Sequence, residues 1–179
     1  MNNLVVYYSN TGNNKYLAEK IANDKKYDLS EISPRVKSSF GLMISSLLKI
    51  SFGIHKTDKN IKNYNAVILC GPVWMGQLIS PLSDFLKKYR DDINKLYFII
   101  CCGSGEDDKD TKYGYTKIFE KIKILMVGKL EFAEAISIEL ITPEEMKGKS
   151  EETMKLRLSD ENFKGKILNR YNSIIDKIE

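Results

Sequence analysis

The chain is poor in the residues that carry most proton-transfer and metal chemistry. It has one histidine, His55, and three cysteines, Cys70, Cys101 and Cys102, in 179 residues. An odd cysteine count without regular spacing argues against a disulfide framework, and no C-x-x-C is available for zinc or dithiol chemistry. All three thiols fall in apolar, strand-like runs and read as core residues of a protein in a reducing compartment. His55 reads as a loop histidine rather than a general base. No Ser/His/Asp set, no clustered metal ligands and no carboxylate pair at a fixed spacing is found, so no metal site is expected.

Long hydrophobic runs are missing too. The most apolar stretch, residues 40–54, is too short to span a bilayer and contains Lys49 and several serines. No basic segment precedes the first apolar run, so no secretory signal is read there. A soluble, cytoplasmic protein with no membrane span is the expectation. The net charge is only +4, and the lysines are scattered among apolar residues as on solvated helix faces. There is no stripe of Lys and Arg with interleaved aromatics, which argues against a nucleic-acid partner. No repeat, low-complexity tract or linker divides the chain, so a single domain over residues 1–179 is expected.

What is present is an alternation. Apolar runs at residues 4–8, 27–32, 66–70, 96–102 and within 129–141 read as five strands. Between them, apolar residues recur at helical spacing: Leu17, Ala18 and Ile21; Val36, Phe40, Met43, Ile44 and Leu47; Leu82, Phe85, Leu86 and Tyr89. Pro81 suits the first turn of its helix. Residues 112–126 and 162–178 complete the helical set. Strands that are continuously apolar and alternate with helices predict an α/β protein with a parallel sheet covered on both faces. Ligands of such sheets bind beyond the carboxyl ends of the strands. The loops after Tyr8, Cys70 and Cys102 are therefore the places to look for function.

The first loop, Ser9-Asn10-Thr11-Gly12-Asn13-Asn14, suits a phosphate. Hydroxyl and amide side chains donate hydrogen bonds, Gly12 permits a sharp turn, and the N–H groups opening a helix point at an anion. It is neither G-x-G-x-x-G nor a nucleotide P-loop, and it contains no lysine. The second loop, Gly71-Pro72-Val73-Trp74-Met75-Gly76, holds the only tryptophan of the chain. The third, Gly103-Ser104-Gly105, is followed by Glu106, Asp107 and Asp108.

These loops resemble those of the flavodoxin family. The family's phosphate loop reads S/T-x-T-G-x-T after the first strand, and Ser9, Thr11 and Gly12 match it. Asn14 stands where the family usually has Thr, and an amide can still donate. After the third strand, flavodoxin-like proteins often carry G-P-V/I-W-x-G, which residues 71–76 reproduce. The resemblance implies a doubly wound five-stranded parallel sheet of order 2-1-3-4-5 and one FMN as cofactor. It implies that Ser9, Asn10, Thr11, Gly12, Asn13 and Asn14 bind the phosphate. Pro72, Val73, Trp74, Met75 and Gly76 would flank the ring, with backbone near Met75 and Gly76 facing flavin N5. Gly103, Ser104 and Gly105 would close the pyrimidine side, where nearby carboxylates would disfavour the anionic reduced flavin, and Tyr113 or Tyr115 would cap the ring. No residue is expected to act as a separate catalytic group, because a flavin carries the electrons.

Three uses of such a site remain open: an electron-transfer protein serving a redox partner protein, an FMN-dependent NAD(P)H reductase of a small quinone-like acceptor, and a flavin-free interaction module. The mildly basic charge departs from the commonly acidic small flavodoxins. The apolar residues 40–54 could cover the sheet, form a homodimer interface or wall a pocket for an apolar acceptor.

Overall fold

A computed structural model describes residues 2–36, 38–48, 50–103, 105, 107–146, 150–153 and 155–179. Strands β1 (Leu4–Tyr7), β2 (Asp28–Glu31) and β3 (Val67–Cys70) are followed by a two-stranded ribbon, β4 (Val73–Trp74) and β5 (Gln77–Leu78). The long strands β6 (Leu96–Cys102) and β7 (Leu130–Ser137) come last. The helices are α1 (Asn13–Lys25), α2 (Ser39–Leu48), α3 (Ser80–Tyr89), α4 (Thr116–Leu125), the single turn α5 (Ser150–Thr153) and α6 (Lys166–Ile175). The main sheet runs β2-β1-β3-β6-β7 and all its pairings are parallel. Counting only its own strands, that is the order 2-1-3-4-5 expected from the sequence.

Period-two alternation along the buried strands explains the two-sided core. Leu4, Val6, Val67, Leu69, Phe98 and Ile100 point to the face covered by α3 and α4. Val5, Tyr7, Ile68, Cys70, Ile99 and Cys101 point to the face covered by α1 and α6. The three thiols are buried, as read from the sequence. Helix α6 and the chain just beyond it are also tied to β7 by charge: Glu134 accepts from Arg170 at 2.6 Å and from Lys177 at 2.8 Å.

Element ends shift where glycine or a tight loop intervenes. Residues 107–115 are turns rather than the start of the helix expected over 112–126. Gly114 sits so close to the carbonyls of Asp108 and Lys109 that no side chain would fit, and Thr116 N–H donates to the Lys109 carbonyl at 3.1 Å. The last helix begins after Gly165, whose φ of 63° lies in the left-handed region. Residues 50–60, beyond α2, are irregular chain pinned by an isolated bridge between Pro34 and Ile54.

The register sets the functional edge. β1 pairs Tyr7 with Cys70 of β3, and β3 pairs Cys70 with Ile99 of β6. β3 then ends, while β6 continues to Cys102 beside Ser137 of β7. The carboxyl ends of β1, β3 and β6 thus form a step from which the three loops depart. Among the described residues, no helix is long and apolar enough to cross a membrane.

Candidate functional site

The loop after β1 divides into two halves. Ser9 is half-buried, and Asn10, Thr11 and Gly12 are exposed. Gly12 has φ 98° and ψ −24°, and nothing lies within 4 Å of where a Cβ would stand. Backbone conformation rather than space requires the glycine here. Ser9 Oγ accepts the Gly12 N–H at 3.1 Å, which shapes the turn and leaves the Ser9 O–H available as a donor. The first N–H groups of α1 have no intrahelical acceptor, and the helix dipole favours an anion in front of them.

The second half does something the sequence reading did not foresee. Asn13 and Asn14 are buried, and their side chains are spent within the protein. Asn14 Nδ2 donates to the Cys101 carbonyl at 3.1 Å while its Oδ1 accepts the Cys101 N–H at 2.8 Å. Gly71 N–H still meets the Ile99 carbonyl, and Cys101 is the next residue along that side of β6. The Asn14 amide therefore gives β6 the pair of bonds that β3 would have given had it continued. Asn13 acts the same way on a distant stretch: Nδ2 donates to the Leu156 carbonyl at 3.2 Å, and Oδ1 accepts the Leu158 N–H at 2.9 Å. Tyr16 adds a bond from its hydroxyl to Asp160 at 2.8 Å. The expectation that the Asn14 amide donates to a phosphate does not fit this placement. With each side-chain oxygen and one side-chain N–H engaged inside the protein, Asn13 and Asn14 are left to face an anion chiefly through their backbone N–H groups. The helical spacing of Asn14 with Leu17, Ala18 and Ile21 was the signal that its side chain points inward.

The loop after β3 is an ordered hairpin, not an open loop. Val73 pairs with Leu78 and Trp74 with Gln77, and Met75 (φ 49°) and Gly76 (φ 68°) turn the chain. Two positive φ values in a two-residue hairpin describe a type I′ turn, whose twist matches that of its strands. Gly76 is also pressed against its neighbour, since a Cβ there would overlap the Lys112 carbonyl. The ribbon thus rests on the loop after β6. Pro72 is buried; Val73 and Trp74 are half-buried and pack on the α3 and α4 face of the core. Met75 at the tip is 56% exposed.

In the third loop Gly103 is exposed and Gly105 buried, and Ser104 and Glu106 lie outside the described residues. A Cβ on Gly105 would overlap the Glu139 carboxylate, so its demonstrated close approach is to that side chain. Asp107 and Asp108 are exposed. Tyr113 is 55% exposed beside Gly76, whereas Tyr115 is buried and packs on Phe119 with ring centroids 5.1 Å apart. Of the two tyrosines, only Tyr113 is placed where it could cover a ligand.

The local electrostatics favour neutral groups beneath the edge. Burial pushes the thiols of Cys70 and Cys101 up, so both stay protonated. Burial and Asp160 together raise Tyr16 to about 12. Among the described residues, no group of three or more His, Cys, Asp or Glu could hold a metal ion.

A separate cleft of about 250 Å³ opens beside the ribbon. Ser46, Ile50, Leu78, Asp84, Lys87 and Lys121 help to line it. Residues of the apolar 40–54 segment thus cover the sheet and also form part of a cavity wall.

The family model described as Flavodoxin domain matches residues 47–153, more than half of the chain. That span includes the second and third loops but not the first. No curated protein matches the chain in sequence. Among solved structures, the chain is similar to a flavoprotein in complex with FMN from Lactobacillus acidophilus NCFM, with 16% identity and a TM-score of 0.59 over 75% of this chain and 92% of that one. It is similar to a flavodoxin of Streptococcus pneumonia TIGR4, with 12% identity and a TM-score of 0.54 over 99% and 97% of the two chains. A flavodoxin from the domain Archaea aligns at 19% identity, with a TM-score of 0.51 over 98% and 95%. At such identities these likenesses establish the fold.

Proposed function

This chain belongs to the flavodoxin domain family, and from that premise we propose that it binds one FMN at the carboxyl edge of its sheet and transfers electrons. The observation that carries the reading is the donor set of the first loop. Ser9, Asn10 and Thr11 supply neutral side-chain donors, Gly12 turns the chain, and the opening N–H groups of α1 face the same end. Such donors fit a phosphate monoester. The ribbon and the loop after β6 meet at Gly76 and Lys112, one strand further along the same edge. Trp74, Met75 and Tyr113 supply flat or polarizable surface there for a ring.

When bound, the flavin supplies the electron-accepting chemistry. The protein's own residues bind and orient. The backbone around Met75 and Gly76, fixed in a type I′ turn, presents its peptide groups in one defined arrangement. The buried, protonated thiols of Cys70 and Cys101 add no negative charge beneath the site. The exposed Asp107 and Asp108 bear on it only through solvent.

Between a one-electron carrier and a reductase we favour the carrier, which needs no substrate site of its own. The cleft lined by Ile50 and Leu78 is the one observation on the side of a reductase with an apolar, quinone-like acceptor. Visible absorption after reconstitution with FMN and removal of the excess tests the flavin site: retained flavin bands support it, and a colourless protein refutes it. Stepwise reduction then separates the two uses. Two one-electron stages indicate a carrier, and direct two-electron bleaching by NAD(P)H indicates a reductase.

A further inference from the structure

The net charge of the chain is not spread evenly along it. Residues 35–60 hold five Lys or Arg and one Asp, a formal +4 that equals the charge of the whole chain. The rest of the sequence carries equal numbers of each sign. This one segment contains α2 and the chain just beyond it, and no charged residue falls inside α2 itself.

The outward side of α2 is apolar. Leu42 and Ser46, four residues apart, face inward: both are buried, and Ser46 Oγ donates to the Leu42 carbonyl at 2.7 Å and accepts the Ser80 N–H at 2.9 Å. Ile44 and Leu48 lie on the opposite side of the helix and are exposed, Leu48 by 64%. Ile50 and Phe52 follow, also exposed. A bonded serine within and isoleucine and leucine without reverse the usual pattern of a surface helix.

The fold sets cations beside these residues. The bridge between Pro34 and Ile54 closes residues 35–53 into a loop, and the Arg35 N–H donates to the Gly53 carbonyl at 3.2 Å. The Arg35 side chain runs past Gly53, its Cδ 3.6 Å from where a Cβ would stand, so it lies next to Phe52 in the chain. Lys87 of α3 and Lys121 of α4, both exposed, line the same cleft as Ile50. Among the described residues, none of Arg35, Lys87 and Lys121 makes an ion pair. The carboxylate in that cleft, Asp84, is buried and accepts the Gly53 N–H at 3.1 Å. Asp58, the one acid of the segment, accepts from the hydroxyls of Ser30 and Thr57.

We propose that this surface docks on an anionic lipid bilayer, with the apolar side chains of the α2 segment entering the headgroup region and the cations meeting the lipid anions. Composition favours lipid over protein. Protein interfaces are enriched in Tyr, Trp, Met and Arg and depleted in Lys. Here the exposed apolar side chains are Ile, Leu and Phe, and Lys outnumbers Arg four to one in the segment. Helix α2 has 10 residues, too few to cross a bilayer, so the contact is with one leaflet. The inference stands on charge and exposure alone and does not depend on the flavin reading.

The test is co-sedimentation of the full chain with vesicles of phosphatidylcholine alone and of an equal mixture of phosphatidylcholine and phosphatidylglycerol. The wild-type chain should bind the mixed vesicles at least tenfold more tightly, and high salt should weaken that binding. Leu48→Glu and Arg35→Glu should each lower affinity for the mixed vesicles at least fivefold, roughly the contribution of one basic residue at an anionic surface. Leu48→Ser, which adds no charge, should lower it about twofold or more. Lys164→Glu makes the same charge change at an exposed site elsewhere and should stay within about twofold of the wild type. Thermal unfolding of the variants should match the wild type, since all three side chains are exposed. A wild-type chain that stays in the supernatant overturns the proposal, as does equal binding to the two kinds of vesicle or an equal loss in Lys164→Glu. A wild-type dimer in analytical ultracentrifugation that Leu48→Glu splits, with no vesicle binding, overturns it in favour of a second copy on this face. Binding to polyglutamate that survives Leu48→Glu, with no vesicle binding, overturns it in favour of an acidic protein.

Discussion

The loop after β1 and the ribbon after β3 leave neighbouring strands at one edge of the sheet, yet different forces hold them. The first is tied by side-chain amides: Asn14 to Cys101, Asn13 to residues 156 and 158. The second is fixed by shape, with a two-residue turn at positive φ and a glycine set against the Lys112 carbonyl. Amide clamps leave Asn10, Thr11 and Gly12 exposed and Ser9 half-buried at the edge. Shape leaves the ribbon's peptide groups in one orientation. An anion needs donors, and a ring edge needs an oriented peptide, so under the proposed function each part of the site is held by the means that suits its ligand.

The comparison breaks most sharply at Asn14. Asn14→Leu keeps the branching at Cγ and deletes both bonds, leaving the N–H and carbonyl of Cys101 buried and unpaired. Such groups cost roughly 1–3 kcal/mol each, so a loss of about 3 kcal/mol is expected in urea unfolding. A loss below about 1 kcal/mol would mean that β6 finds other partners and that the clamp is not what fixes this half of the loop. On the ribbon, Gly76→Ala meets both a left-handed φ and a backbone oxygen that cannot move aside, and should cost about 2–3 kcal/mol. Gly12→Ala is its control, with a similar φ but open space, and should cost only about 1 kcal/mol. Equal losses at the two glycines would remove the claim that shape holds the ribbon.

Met75 sharpens the same point at smaller scale. It is a non-glycine residue in the left-handed region and exposed at the tip, so the turn carries local strain. Met75→Asn places a residue tolerant of that conformation, and should raise stability by about 0.5 kcal/mol in urea unfolding. A fall would show that the methionine makes a contact worth more than the strain.

The sequence made the sheet legible because its central strands are buried on both faces and therefore continuously apolar. It made the three loops legible because glycines follow such runs within a few residues: Gly12 after the first, Gly71 and Gly76 after the third, Gly103 after the fourth. The ribbon escaped notice. Two residues per strand are too few to show alternation, and Met75 is not a residue that announces a positive φ. The roles of Asn13 and Asn14 were hidden for another reason: their partners lie 87 and more than 140 residues away. A polar residue on the apolar side of a helix signals a buried bond without naming the partner.

The last expected effect concerns the outermost of the clamps, Tyr16 on Asp160. Burial and the Asp160 carboxylate raise the Tyr16 pKa from 10.0 to about 12 in the folded chain. A group whose folded pKa is raised holds its proton more firmly in the native state. Its contribution is complete below pH 10, where it is protonated in both states, and is lost as pH rises from 10 through 12. Tyr7 and Tyr64 are raised to about 12 as well, so the whole protein should weaken over that window. Only the difference between wild type and Tyr16→Phe isolates this one bond. That stability gap should be constant from pH 7 to 10 and close between 10 and 12, measured by urea midpoints. A gap that stays open past pH 12 would mean that the phenol is not bonded to Asp160 in solution. The helix start would then rest on its two asparagines alone, held to β6 and to residues 156 and 158 by side-chain amides.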